Sequence, residues 1–193
     1  ANKAAIMGVA GTAAAGDVVL LSSQTASSDS AIAFTSGLDS TYGEYIIRYY
    51  VVGPEVDVGL LQFNASIDGG SNYNVTKDTT HFRATHNEDG SSSGLTYETG
   101  LDRGHVTSYQ QLANSVGNGS DECVVGEFHL FNPASTEFYK HFYGVSQCYR
   151  RDDFSAQSFI GGFLFTTSAV NALNFNVTTG DFDGIFKMWG VKF

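Results

Sequence analysis

Basic residues are scarce in this chain: 10 Lys and Arg stand against 20 Asp and Glu, a formal net charge of −10 over 193 residues. A nucleic-acid binder needs clustered cations to displace counterions from phosphates, and an anionic membrane surface asks for the same, so neither is expected as a partner. No apolar run approaches the length of a membrane span, and no charged segment followed by an apolar core opens the chain. The expectation is a soluble protein with no mark of a secretory route. Proline is down to two residues and tryptophan to one, Trp189. Cysteine is limited to Cys123 and Cys148, which fall in strand-like runs rather than in a CxxC pair. Two separately buried thiols are expected, with one cross-strand disulfide as the alternative.

Helical periodicity is missing as well. In its place stand 22 Gly, 15 Phe and 10 Tyr, with abundant Ser, Thr and Asn. That composition predicts an all-β protein with many turns. A chain of this length buries roughly 70% of the surface it exposes when unfolded, enough for one sizeable core.

Residues 1–16, ANKAAIMGVAGTAAAG, have little to bury and predict an N-terminal arm, either frayed or ordered against a partner chain. Residues 17–193 read as one domain. Tyr42 to Val52 is apolar on both faces and predicts a central strand. Leu60 to Ile67 alternates, with Leu61, Phe63, Ala65 and Ile67 expected inward and Gln62, Asn64 and Ser66 outward; Asp68-Gly69-Gly70-Ser71 then signals a hairpin. At the C-terminus, Asn174–Thr178 and Gly184–Lys192 alternate around the polar, Gly-rich stretch from Thr179 to Gly184, which predicts a closing hairpin whose last strand is central and buries Trp189. His86–Gly94, Asn114–Glu122 and Arg150–Asp153 read as exposed loops. Strands recurring about every 8 to 12 residues predict a β-sandwich of jelly-roll type.

Chemistry-bearing patterns are thin. His81, His86, His105, His129 and His141 show no metal-ligand spacing, although His129 and His141 fall in neighbouring predicted strands. The acid pairs Glu88-Asp89, Asp121-Glu122, Asp152-Asp153 and Asp181/Asp183 are read as solvated turn residues, since glycoside hydrolysis needs carboxylates facing each other across a cleft. The stretches Asp181–Gly184 and Asn118–Asp121 carry oxygens suited to Ca²⁺ but fall short of an EF-hand loop. The expectation is therefore no enzyme, no cofactor, no metal site and no catalytic residue. As ligand-binding candidates, Tyr73, Tyr97, Tyr109 and Tyr149 are expected at loop tips, where a phenol ring stacks on a sugar; core packing is the competing role.

From Phe34-Thr35-Ser36-Gly37-Leu38-Asp39-Ser40-Thr41-Tyr42 onward the chain resembles structural proteins of tailed bacteriophages, marine ones in particular. The likeness continues through Asp68–Tyr73, Phe82–Glu88 and His129–Ser135. At the C-terminal strand, Thr179-Gly180-Asp181 and Trp189-Gly190 stand where that family usually has a Ser-Gly-Asn turn and a tyrosine strand. The resemblance implies a virion structural protein on the particle exterior, made in the host bacterial cytoplasm. Without a shaft or collagen-like stalk before the domain, a capsid decoration or short appendage is expected. It would sit on other virion proteins and self-associate as a homotrimer. The alternative is a receptor-binding tail-fibre head or carbohydrate-binding module for host glycans.

Overall fold

A computed structural model describes residues 17–192. The arm expected over residues 1–16 lies outside the described residues. Among them there is no helix, and so none long and apolar enough to cross a membrane. The strands, in chain order, are β1 Val18–Asp29, β2 Ala31–Phe34, β3 Glu44–Pro54, β4 Leu61–Ser66, β5 Lys77–Asn87, β6 Ser93–Tyr97 and β7 Arg103–Val106. They continue as β8 Gln110–Gln111, β9 Val124–Phe131, β10 Lys140–Arg150, β11 Phe154–Leu164, β12 Ala172–Val177 and β13 Phe182–Val191. Period-two alternation shapes them: in β10, Lys140, Phe142, Gly144, Ser146 and Cys148 are buried while His141, Tyr143 and Gln147 face outward.

Two antiparallel sheets result, as a β-sandwich requires. The long one has nine strands in the order β1-β13-β3-β9-β10-β11-β5-β6, with β7 also paired to β5; the short one has four, β2-β12-β4-β8. Between them Phe63 of β4 lies 4.4 Å from Phe128 of β9 and 5.1 Å from Phe142 of β10, ring centre to ring centre. Phe175 of β12 joins them to Phe186 of β13 at 5.5 Å. All five rings are buried, and such pairs add about 0.5–1.5 kcal/mol each beyond the area they bury.

The four-stranded sheet is too narrow to cover nine strands. Behind β5 the inner face is covered instead by the irregular chain between β6 and β9. Irregular backbone leaves carbonyls without a ladder partner, and a buried carbonyl must be satisfied by something. Side chains do this here: Lys77 Nζ donates to the Ser108 carbonyl and Asn64 Oδ1, Arg103 Nε to the Tyr109 carbonyl, and Gln110 Nε2 to the Leu101 carbonyl. The inner row of β5 is accordingly Lys77, Thr79, His81 and Arg83, all buried or nearly so. Burial, and next the Arg103 charge, lowers the Lys77 amine to about 7.

Several sequence expectations are corrected. The stretch from Thr179 to Gly184 is a turn, with Gly180 at φ 73°, but it closes no hairpin, because β12 belongs to the short sheet and β13 to the long one. Asp68–Ser71 likewise turns without pairing β4 to β5. Trp189 lies on the outer face of β13, one strand in from the sheet edge and only half-buried, while Phe186 and Met188 point into the core. On β4, Leu61, Phe63 and Ala65 point inward as expected, yet Ile67 is exposed while Asn64 and Ser66 are fully buried. Tyr73 and Thr107 cover Asn64, whose amide donates to both their carbonyls. Both cysteines are free, and only Cys148 is buried; burial pushes its thiol up to about 11.

Candidate interaction surface

The outer face of the long sheet is uncovered among the described residues, and its register lines up large side chains. Leu20, Trp189, Ile46, His129 and Tyr143 stand opposite one another across β1, β13, β3, β9 and β10. Leu20 is 51% exposed and Tyr143 44%, so the row ends open to solvent. Arg48 lies 5.6 Å over the Trp189 ring, and His129 stacks on Tyr143 at 4.4 Å. Carboxylate oxygens of Glu44 and Glu127 flank His129, 2.5 Å from Nδ1 and 3.3 Å from Nε2. These contacts hold the rings in fixed orientations. His129 and His141 do not meet: His141 packs on Phe163.

A second row crosses the far half of the sheet, with Val145, Phe159, Phe82 and Tyr97 in register across β10, β11, β5 and β6. Phe82 and Phe159 are stacked at 4.8 Å with planes 10° apart. At the end of β11 a third group gathers Tyr139, Phe163, Phe165 and His105, with Tyr139 4.5 Å from Phe165 and His105 edge-on to it at 4.5 Å.

Beside that group a cleft of about 420 Å³ runs along the outer face of β5. Asp78 and Thr80 form its floor, facing Phe163 and Gly161 of β11 across the ladder, and Asp102 and Arg103 form its far wall. Gly162 is required there: an added Cβ would lie 2.2 Å from the Asp78 carbonyl oxygen. Asp78 Oδ1 accepts a hydrogen bond from the His105 backbone N–H at 2.5 Å, and Asp102 Oδ2 accepts from the Tyr97 hydroxyl at 2.9 Å. That bond, above all, raises the Tyr97 phenol.

The four tyrosines singled out from the sequence fall in three places. Tyr97 is on the rim of this cleft through Asp102. Tyr73 and Tyr109 are half-buried over the short sheet, where the Tyr109 hydroxyl donates to Asn174 Oδ1 at 3.2 Å; burial raises both phenols. Tyr149 is at the opposite end of β10, donating to Glu88 Oε2 at 2.9 Å, which raises its own phenol. Phe163, Asp78 and Arg103 were not legible as site residues, but the adjacent Gly161-Gly162 inside a strand run was a usable signal, since interior strand glycine marks close approach or open space.

The two stretches considered for Ca²⁺ converge: Asn118–Asp121 and Asp183 line one cleft of about 540 Å³ with Glu55 and Glu122. Among the described residues, no three His, Cys, Asp or Glu side chains are placed to hold a metal ion. A further acidic cleft at the other loops joins Glu88, Asp121 and Asp153 around Tyr149. Set against known proteins, the chain matches no family model, and no curated protein or solved structure shows significant similarity to it.

Proposed function

We propose that the chain is a non-enzymatic structural protein of a tailed-phage particle, carried on the virion exterior and seated on neighbouring virion proteins through the β1–β10 half of the outer face of its long sheet. The observation that carries this reading is that face: an ordered row of large side chains from Leu20 to Tyr143 runs across five strands without cover among the described residues, in a chain otherwise strongly acidic. The strand orders support it further. Within the two sheets, β1-β13-β3-β9 and β2-β12-β4-β8 have the order of the two halves of a jelly roll, an architecture used by viral capsid and lectin domains. On this reading β5–β7 and β10–β11 are insertions that lengthen one sheet, with Tyr143 of β10 completing the row that seats the chain. A homotrimer is the proposed oligomer.

Cross-linking of purified particles, read by mass spectrometry, tests the seat. Lys187 lies on the outer face beside Arg48, so links from Lys187 to another virion protein are expected. Replacing Trp189 and Tyr143 by Lys should leave the domain folded and remove it from particles. Absence of the chain from purified particles overturns the reading. Sedimentation should give three times the chain mass, and a monomer at high concentration would remove the trimer.

A further inference from the structure

We infer that the cleft along the outer face of β5 is a binding site for a neutral saccharide, with Phe163 as the stacking platform and Asp78, Thr80 and Asp102 as hydroxyl partners. A pyranose presents a face of C–H groups and a rim of hydroxyls, so its site needs an aromatic plane beside fixed hydrogen-bonding groups. Both are present. Phe163 is held parallel to Tyr139, with planes 7° apart at 5.7 Å, and lies 6.1 Å from Phe165. A ring already fixed by its neighbours loses little freedom when a ligand stacks on it.

The polar groups are as firmly placed. Asp78 is oriented by the His105 backbone, and Asp102 by the Tyr97 hydroxyl through Oδ2, its other oxygen making no hydrogen bond within the described residues. Arg103 spends Nε and Nη1 on the carbonyls of Tyr109 and Asp102. The Arg103 guanidinium keeps its charge but is drawn to the looped cover under β5, so the cleft presents the two carboxylates of Asp78 and Asp102 against one cation at most, within a chain of net charge −10. That balance repels sialic and uronic acids and leaves neutral sugars as the fitting class. The volume of about 420 Å³ lies within the usual range of small-ligand sites. The floor is open: a Cβ added at Gly161 meets no atom nearer than the Phe142 carbonyl oxygen at 4.0 Å.

The cleft lies on the β11–β5 half of the outer face, clear of the β1–β10 row proposed as the seat, so its failure would leave the structural role standing. The test is an amide-shift NMR titration of the full chain with neutral gluco-, galacto- and manno-oligosaccharides, each beside its uronic acid counterpart. At about 10 mM, where a millimolar Kd is resolved, at least one neutral series should shift Gly161, Phe163 and Asp102, and the acidic counterparts should not. Gly161→Leu, which puts a side chain into the open floor without strained backbone, should abolish binding and leave Tm unchanged or higher. Phe163→Ala should weaken it ~10-fold, the scale of one lost aromatic contact. No shift with any neutral sugar overturns the proposal. So do shifts centred on Tyr73, Tyr109 or Tyr149, preference for the acidic sugars, or binding that survives Gly161→Leu.

Discussion

Between the sheets, Phe63 is ringed by Phe128, Phe142 and Phe175 within 6.3 Å, without a polar atom in the group. Further along the long sheet, the inner side of β5 carries Lys77, Thr79, His81 and Arg83, with Glu98 2.8 Å from the Arg83 guanidinium. The two interiors differ because their covers differ. A paired strand brings no unsatisfied carbonyl to the interface, so aromatic rings pack against it at no polar cost. Looped chain brings several, and only long polar side chains reach them. What the first region gains in packing the second gains in geometry, because the same looped cover, held by Arg103 and Gln110, is the chain that carries the far wall of the cleft on the outer side.

The comparison is broken most severely at Phe63. Phe63→Ala should destabilise the domain by about 3–5 kcal/mol, read by denaturant unfolding, because the ring sits at the centre of the cluster and cannot be replaced by neighbours. A loss below about 1 kcal/mol would mean that the aromatic group is not the core it looks to be.

Acid should strike the other region. His81 is buried, with no hydrogen-bond partner on either ring nitrogen among the described residues. Burial first, then the charges of Arg83 and Arg103, lowers its pKa to about 4. The neutral ring is therefore favoured in the fold, and its contribution is complete above the ordinary value of 6.5 and is lost as pH falls toward 4. The loss is on the order of 3 kcal/mol over that window. His81→Leu should flatten stability between pH 6.5 and 4 by that amount relative to the parent, and an unchanged acid slope would place the sensitivity elsewhere. The smallest effect sharpens the boundary between the regions. Tyr49 and Ser146 share a buried hydroxyl contact at 2.5 Å beside the aromatic core, and Tyr49→Phe should cost about 1 kcal/mol by thermal unfolding.

Much of the strand sequence was legible, as were its turns. The Asp68 turn shows why partners were not. Ser66 Oγ donates to Asp68 Oδ1 at 2.6 Å, and the Asn72 backbone N–H donates to the same carboxyl oxygen at 2.9 Å, so the bend is shaped largely by its own residues. The local bonds make the bend, but its remaining tie, the Gly69 N–H to Asn171 Oδ1 at 2.8 Å, comes from 102 residues away and does not show in the local pattern. The Thr179–Gly184 stretch misled in the same way. Alternation on β4 read the inner row correctly, but burial of Asn64 on the outer row depends on Thr107, 43 residues away. Of the cleft, only Tyr97 was singled out; Phe163 looked like any strand aromatic until β5 and β7 were placed beside it.

The sequence alone determined an all-β chain, its acidic charge, most strand positions and the turns between them, because alternation and turn chemistry act over a few neighbouring residues. Which strands pair, which apolar face stays uncovered, and that Asp78, Asp102 and Phe163 share one cleft were decided only by the tertiary structure. Those choices depend on burial and backbone satisfaction between segments far apart in the chain, and no local pattern encodes them.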